Sequence, residues 1–210
     1  LAAAAEAIAV AGYFNAGQDC TAATRVIVQD SVYDQFVALI TEQAKQVAIG
    51  APADEDVFLG PVNNINQLAR ITDLLSRVPA HAQVMAGGSV LDRPGFFFPA
   101  TVVAGLHQTD ELIQKEIFGP VMSILPFDDE AEVLRRANDT RFGLAAGVFT
   151  RDSARGHRMA AGLKAGICWI NNYNITPIEM PFGGAGESGI GSENSMAAFD
   201  HYTQLKTVYV

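Results

Sequence analysis

Segments typical of β-strands alternate along this chain with segments typical of helices. The strand-like segments are rich in β-branched or aromatic residues, and they cover residues 25–28, 83–86, 96–103, 121–127, 144–150 and 166–171. Between them lie stretches whose apolar residues recur at helical spacing. Strands and helices that alternate in this way build a mainly parallel sheet covered by helices, so the sequence predicts an α/β fold of that kind.

Polar residues mark where two of the helices begin. Ser31 is placed to cap a helix that runs to Gly50, and Asn64 opens a helix that ends before Pro79. The other predicted helices cover residues 1–12, a short stretch from residue 110 that carries Glu116, and residues 129–138, 152–163 and 195–201. The last four residues, 207–210, form a β-branched strand that requires an edge to pair with.

The charge balance argues against two classes of partner. The chain has 14 basic and 23 acidic residues, and its isoelectric point is near 4.8. Nucleic acids and anionic membranes attract clustered Lys and Arg, so neither is expected as a partner. No apolar run reaches the roughly 18 residues of a membrane span. A small molecule is therefore the expected partner.

Neither the cysteines nor the histidines have the sequence spacing that is typical of metal ligands. Cys20 and Cys168 lie far apart, which favours neither a disulfide framework nor a metal site. Two reduced thiols and a cytoplasmic location are therefore expected. The four histidines share no spacing either, so no metal site is predicted.

Cys20 is the candidate nucleophile. It lies between a Gly-Gln pair at residues 17–18 and a run of small residues, which leaves an approach path to the sulfur. Nearby backbone N–H groups can favour the thiolate. A free cysteine is more often a small buried hydrophobe, so this cysteine alone does not establish a site.

Three further segments support the catalytic interpretation. They are EIFGPV at 116–121, PFGG at 181–184 followed by SGIG at 188–191, and the asparagine pair at 171–172 that closes the strand-like ICWI. With Cys20, and in this order, they resemble the catalytic portion of the NAD(P)-dependent aldehyde dehydrogenases. The resemblance covers essentially the whole chain.

Within that family, the chain is similar to the γ-aminobutyraldehyde and betaine-aldehyde dehydrogenases. The similarity is carried by FNAGQDCTAATR at 14–25, GICWIN at 166–171, EMP at 179–181 and the closing HYTQLK at 201–206. It implies an amino- or betaine-type aldehyde as the substrate and leaves the choice between the two open.

The resemblance implies a covalent mechanism with NAD or NADP as cofactor. Cys20 would attack the aldehyde carbon to give a thiohemiacetal, which releases hydride to the cofactor and leaves a thioester for water to hydrolyse. Glu116 and Phe118 match the positions that hold the nicotinamide ribose, where a carboxylate accepts both hydroxyls and a ring packs beside the nicotinamide. Without the motif, Glu116 would be interpreted as a solvated surface charge and Phe118 as a ring of the hydrophobic core.

Three other residues match positions around the substrate. Asn171 lies at a strand end near the active site, where its amide either fixes the backbone or is a satisfied turn residue. Phe182 matches an aromatic wall of the substrate tunnel, which suits an ammonium group. Glu193 matches a glutamate of the proton relay, although an acid at a helix N-terminus would be favoured by the helix dipole alone. Trp169 is expected in the core.

The resemblance also implies how the chain is organised. Residues 1–195 would form a catalytic domain, and residues 196–210 a C-terminal helix and strand that join subunits into a homodimer or homotetramer. No Gly-rich turn between a strand and a helix precedes Cys20, so the dinucleotide-binding domain is expected to be absent from this chain. Most of the cofactor site and the general-base glutamate would be absent with it, and the isolated chain is expected to be inactive.

Two alternatives stay open at this point. A cysteine hydrolase or acyltransferase would form a thioester on Cys20 without hydride transfer, but it needs a histidine base, and none lies near Cys20 in the sequence. A non-catalytic oligomerisation module would use the strand at 207–210 as its pairing edge.

Overall fold

The computed structural model describes all 210 residues, and its backbone contacts divide the chain into two compact units, Leu1–Ala137 and Asn138–Val210. This division does not coincide with the predicted boundary at residue 195, and a single catalytic domain over 1–195 stays a prediction. None of the helices combines the length and the apolar character that crossing a membrane requires.

The first unit contains a four-stranded sheet and most of the helices. In chain order, its elements are α1 (Ala2–Tyr13), β1 (Arg25–Gln29), α2 (Tyr33–Gln46), α3 (Ile65–Ser76), β2 (Gln83–Ala86), β3 (Thr101–Ala104), α4 (Glu111–Gln114), β4 (Val121–Phe127) and α5 (Glu130–Asn138), whose last residue is the first of the second unit. The strand order is β1-β4-β3-β2. Strand β4 pairs in parallel with β1 and β3, and only β2 is antiparallel. The predicted, mainly parallel α/β sheet is confirmed.

Strand β4 lies in the centre of this unit. Its first five residues, 121–125, are all buried, as is usual for a parallel strand that is covered on both faces. Helix α3 buries one side through Leu68, Ile71, Leu74 and Leu75, which pack in a cluster with residues of the sheet and its connections. Burial of this helix face fixes the position of α3 against the segment that precedes β4.

Several predicted boundaries in this unit are confirmed and others are wrong. Asn64 is the N-cap of α3, where its side chain accepts a hydrogen bond from the backbone N–H of Gln67. Ser31 caps no helix, because it lies inside a 3₁₀ turn, Asp30–Val32, that precedes α2. The strand predicted over 96–103 is confined to β3, since Phe97 and Phe98 are buried by packing without joining the ladder.

The second unit is built from one parallel strand pair, short antiparallel pairs and two helices. Its elements are β5 (Phe142–Gly143), β6 (Ala145–Val148), α6 (Ser153–Gly162), β7 (Ile167–Ile170), β8 (Phe182–Gly183), β9 (Ala185–Gly186), β10 (Ser192–Glu193) and α7 (Phe199–Tyr202). Strands β6 and β7 are parallel and are connected through α6, as the sequence predicted. Strand β5 pairs with β9, and β8 pairs with β10.

The end of the chain differs from the prediction in its detail. The helix predicted over 195–201 is a 3₁₀ turn, Met196–Ala198, followed by the single turn of α7. Residues 203–210 form neither helix nor strand, and all of them are exposed. A strand at 207–210 that pairs with another copy of the chain stays a prediction.

Candidate active site

The loop that carries Cys20 has an unusual backbone. After α1, a 3₁₀ turn over Phe14–Gly17 places Asn15, Ala16 and Gly17 in succession in the left-handed region, with φ of 50°, 56° and 66°. Alanine rarely adopts this conformation, and such strain persists only where the surroundings enforce it. Here the Asn15 side-chain amide donates to the Gln18 carbonyl at 2.9 Å, and the Gln18 N–H donates to the Asn15 carbonyl at 3.0 Å. The loop is therefore held in one shape.

Gly17 brings the cysteine loop against the EIFGPV segment. A Cβ atom built on Gly17 would lie 2.1 Å from the carbonyl oxygen of Gly119, a distance that no real side chain tolerates. Glycine is needed at position 17 both for its positive φ and for this approach. The sequence left open whether the Gly-Gln pair is a simple turn or shapes the pocket of the nucleophile. The contact shows that the turn also joins the two motifs.

Cys20 lies at the surface of this loop. It is an exposed, free thiol, whereas Cys168 in β7 is half-buried and also free. The Asp19 carboxylate fixes Thr21, the residue after the cysteine. Its Oδ1 accepts hydrogen bonds from both the N–H and the hydroxyl of Thr21, each at 3.1 Å. Thr21 is buried, so the backbone on the far side of the cysteine is anchored while the sulfur is accessible.

The charges around Cys20 oppose its ionisation. Partial burial of the sulfur and the Asp19 carboxylate raise the pKa of Cys20, the Glu116 carboxylate adds to this effect, and the cysteine's own backbone N–H acts in the opposite direction. The net result is a pKa above that of an ordinary thiol, so at neutral pH the residue is mostly protonated in this chain.

The EIFGPV segment is held by helix α3. Glu116 and Phe118 are exposed, and Phe118 has a left-handed φ of 55°. The side-chain amide of Gln67 donates to the carbonyls of Ile117 and Phe118, at 2.9 and 2.6 Å. The Arg70 guanidinium donates to the carbonyls of Glu116 and Ile117. These contacts fix the backbone from which both candidate ribose-binding side chains project.

Gln67 and Arg70 were not identified from the sequence. They are three residues apart and therefore lie on one side of α3, which is the only signal that could have singled them out. A second connection runs through the cysteine loop, where the Gln18 side chain accepts from the N–H of Asn63 at 2.8 Å, next to the N-cap of α3. Helix α3 therefore supports both motifs of the first unit.

In the second unit, Phe182 and Glu193 are brought together. They are direct partners in the antiparallel pair of β8 and β10. Phe182 is half-buried and Glu193 is exposed, and the Tyr202 hydroxyl donates to the Glu193 carboxylate at 3.5 Å. Glu193 lies in a strand and not at a helix N-terminus, so the helix dipole does not explain an acid at this position.

The Asn171 side chain forms two hydrogen bonds with the backbone of Thr150. Its Oδ1 accepts from the N–H of Thr150 and its Nδ2 donates to the carbonyl of Thr150, both at 2.8 Å, while its own φ is 53°. The amide thus joins the end of β7 to the end of β6. This geometry favours the backbone-fixing role, and a direct contact with substrate stays a prediction.

Trp169 in β7 and Tyr173 after it form an aromatic pair in which only the tryptophan is buried. Trp169 is buried, as predicted, and its indole N–H donates to the carbonyl of Ile175 at 2.7 Å. Tyr173 is half-buried and its ring lies 4.7 Å from the Trp169 ring, centroid to centroid, in a tilted arrangement. The indole is therefore a packing element of the second unit.

Comparison with known proteins identifies the same family in sequence and in structure. The profile described as "Aldehyde dehydrogenase family" matches residues 1–208. A betaine aldehyde dehydrogenase of Mesorhizobium japonicum is 48% identical over 203 residues, which are 94% of this chain and 42% of that enzyme. A betaine aldehyde dehydrogenase of Brucella anthropi is 46% identical with the same coverage. The chain therefore spans less than half the length of the curated relatives that it matches.

Solved structures give the same result. A betaine aldehyde dehydrogenase from Staphylococcus aureus in complex with NAD⁺ superposes with a TM-score of 0.92 at 34% identity, over 95% of this chain and 41% of that one. An NAD⁺ complex of an aldehyde dehydrogenase from Bacillus cereus superposes with a TM-score of 0.96 at 37% identity, over 99% and 43%. Similarity at this level covers both units of the chain.

Proposed function

The chain belongs to the aldehyde dehydrogenase family, and on that premise we propose that it carries the nucleophile and part of the cofactor-binding site of an NAD-dependent enzyme. In this proposal, the enzyme oxidises a betaine-type aldehyde to the acid. The observation that carries the proposal is the packing of the Cys20 loop on the EIFGPV segment, with Gly17 against Gly119 and the charge of Glu116 acting on the sulfur. The nucleophile acts on the aldehyde and the ribose-binding carboxylate on the cofactor, and hydride has to pass between these two molecules, so loops that pack against each other suit this chemistry.

The residues of the EIFGPV segment fit a nicotinamide ribose. The exposed Glu116 carboxylate has two oxygens that can accept the two ribose hydroxyls, and the exposed Phe118 ring offers an apolar face beside them. When it is bound, NAD supplies the hydride acceptor. The two solved neighbours named above are NAD⁺ complexes, which favours NAD over NADP for this chain. We propose that residues outside this chain hold the rest of the cofactor.

Cys20 performs the covalent step in this proposal. The thiol gives its proton to a base, and its sulfur forms a bond to the aldehyde carbon while the carbonyl π electrons move onto the oxygen. The Cys20 backbone N–H, at the start of a turn, is one donor to that oxyanion. Loss of hydride from the thiohemiacetal carbon leaves a thioester on Cys20, and water then releases the acid and the thiol.

The base for Cys20 has to come from elsewhere in the protein. Asp19 and Glu116 both disfavour the thiolate, and the pKa of Cys20 is raised. We propose that a glutamate outside this chain accepts the proton and that Glu193, with Tyr202 beside it, takes part in the relay. The isolated chain is then inactive because its nucleophile lacks a base and most of the cofactor site.

The proposed substrate class rests on the relatives and on the aromatic residues of the second unit. The similar curated proteins named above are betaine aldehyde dehydrogenases, and on this basis we propose a trimethylammonio-aldehyde ahead of an aminoaldehyde. A quaternary ammonium group is attracted to aromatic faces, and Phe182 is the candidate wall. Asn171 contributes by holding the ends of β6 and β7 together through its hydrogen bonds to Thr150. We further propose a cytoplasmic homodimer or homotetramer, consistent with the two free thiols.

The test uses a longer protein in which this sequence follows a dinucleotide-binding domain. We expect that protein to reduce NAD with betaine aldehyde, to use aminobutyraldehyde less well, and to lose the activity on Cys20→Ala while Cys168→Ala retains it. An active Cys20→Ala variant would refute the nucleophile. Acid release from an ester, together with no NADH formation from either aldehyde, would instead support the hydrolase alternative, and the 210-residue chain alone is expected to form no NADH.

A further inference from the structure

Three potential metal ligands that are scattered in the sequence meet on the surface of the first unit. His81 precedes β2, His107 follows β3, and Asp110 is the residue before α4. The imidazole nitrogens of both histidines and a carboxylate oxygen of the aspartate all lie within 4.8 Å of one another. The two rings are stacked, with centroids 3.9 Å apart and planes inclined by 8°. None of these residues belongs to the site described above.

We propose that His81, His107 and Asp110 form a binding site for a transition-metal dication of the zinc type. Two imidazole nitrogens and one carboxylate oxygen are a donor set that zinc accepts at three protein-supplied positions, with water at the fourth. Mg²⁺ and Ca²⁺ prefer oxygen ligands, so two nitrogen donors among three disfavour them. The negative charge of Asp110 offsets part of the charge of the ion.

The geometry requires only a small contraction of the cluster. A tetrahedral ion with ligands at about 2.0–2.1 Å places its donor atoms roughly 3.3 Å apart. Donors within 4.8 Å of one another therefore have to close by at most about 1.5 Å, as the bond lengths above imply. The His81 side chain is 38% exposed, so it is free to rotate towards the others, and the rotation exchanges ring stacking for metal bonds.

Asp110 is already oriented for this role. Its Oδ2 accepts from the His107 backbone N–H at 2.7 Å and lies 2.9 Å from the His81 Nε2 atom. The carboxylate is only 13% exposed, and its position is fixed by the turn that leads into α4. A bound ion would cross-link this turn to the segment before β2, 29 residues away in the sequence.

The experiment is a titration of the untagged 210-residue chain, stripped with chelator, with ZnCl₂ by calorimetry and with CoCl₂ by visible absorption. We expect one saturable Zn²⁺ site per chain and Co²⁺ absorption bands typical of mixed nitrogen and oxygen ligands. His107→Ala should weaken Zn²⁺ binding by more than about tenfold, since loss of even an outer-shell partner of a metal ligand costs roughly 10–100-fold. Mg²⁺ at the same concentration should not compete.

The matched control is His157→Asn, which removes an exposed histidine from α6 in the other unit. It should change the Zn²⁺ affinity by less than about twofold, because its ring is not in the cluster. His81→Asn supplies a second test at an exposed position, and circular dichroism checks that each variant is folded. Absence of saturable binding, or equal weakening by the His157 and His107 substitutions, would overturn the site and leave a hydrogen-bonded His-Asp pair that only stabilises the turn.

Discussion

Partial burial and two carboxylates raise the pKa of the Cys20 thiol in this chain. A catalytic cysteine is usually placed among positive groups that stabilise the thiolate, whereas Asp19 and Glu116 act in the opposite direction. Glu116 has a use of its own in the proposed ribose contact, and Asp19 holds the buried Thr21. The pKa of the thiol is therefore raised, and the proposed reaction requires a base to remove its proton.

The pKa of Cys20 leads to a prediction about its labelling by iodoacetamide. Because the pKa is raised, the labelling rate should reach half of its maximum at a higher pH than the value of about 8.5 expected for an ordinary thiol. Asp19→Asn removes one negative charge but keeps an oxygen for the Thr21 hydrogen bonds, so it should lower the pKa and increase the rate at pH 7.5 severalfold. Mass spectrometry of the labelled peptides measures both rates.

Two comparisons control this experiment. Asp34→Asn removes the same charge from an exposed acid on α2 that does not act on Cys20, and it should leave the rate unchanged. Cys168 should react more slowly than Cys20 throughout, because it is half-buried and burial raises the pKa of its thiol. Equal rates for Asp19→Asn and the unmodified chain would show that the carboxylate does not control the thiol.

Gly17 is predicted to be sensitive to the addition of a single carbon atom. Gly17→Ala should lower the free energy of unfolding by about 2–5 kcal/mol, the sum of about 1–2 for a left-handed alanine and about 1–3 for forcing a carbon into packed atoms. Gly60→Ala is the control, because a Cβ there meets its nearest neighbour at 3.9 Å and no positive φ is involved. Urea unfolding compares the two, and similar midpoints would contradict the close approach to Gly119.

At the residue scale, the motifs singled out the candidate site residues but not the residues that hold their backbone in place. Cys20, Glu116 and Phe118 carry chemistry that their residue types make visible, and the structure exposes all three. Gln67 and Arg70 act by donating to backbone carbonyls, and any pair of long polar side chains on a helix looks the same in a sequence. The cluster of His81, His107 and Asp110 depends on two connections meeting beside the sheet, which residue spacing does not encode.

At the level of elements, helix α3 acts as the support of the candidate site. Its apolar side is buried in the core cluster, and its polar side holds the EIFGPV backbone through Gln67 and Arg70. The alternation of strand and helix patterns predicted α3 and its Asn64 cap because both signals are local. The extent of β3 was not predicted, because buried aromatic residues look the same whether or not their backbone joins a sheet.

The support by α3 predicts that Gln67→Leu loosens the EIFGPV segment. The two carbonyls that lose the Gln67 amide are those of Ile117 and Phe118, so the following amides should exchange hydrogen faster, by roughly tenfold for a loss of about 1.4 kcal/mol of local stability. Hydrogen exchange followed by mass spectrometry localises the change to peptides that cover residues 115–121.

Asn66→Ala provides the control for the loosening experiment, because Asn66 is an exposed neighbour of Gln67 on the same helix. Its substitution should leave the exchange of residues 115–121 unchanged. If Gln67→Leu and Asn66→Ala gave the same exchange pattern, or if the whole chain exchanged faster, Gln67 would be a general stabiliser and not a positioning residue for this segment.

At the scale of the whole molecule, the end of the chain is the feature that the rest of the fold does not explain. The chain has a net charge of −9, yet residues 203–210 contain no acid and one lysine. Leu205, Val208, Tyr209 and Val210 are each at least 73% exposed. An apolar end without acidic residues suits a contact with another acidic copy, because it avoids like-charge repulsion and has apolar area to bury.

The predicted role of this end can be tested with one charged residue. Val208→Asp places an acid in the proposed pairing strand, where the charge would be buried against a second, acidic copy of the chain. The substitution should therefore shift the proposed dimer or tetramer towards monomer, which sedimentation velocity experiments measure. Val90→Asp puts the same charge on an apolar residue that is 40% exposed in the loop after β2, and it should leave the assembly unchanged. None of the residues assigned to the chemistry lies within residues 203–210, so the substitution alters the proposed contact without removing a side chain of the proposed reaction. If Val208→Asp and Val90→Asp sedimented alike, the strand at 207–210 would not be the contact, and the exposed apolar residues there would need another partner.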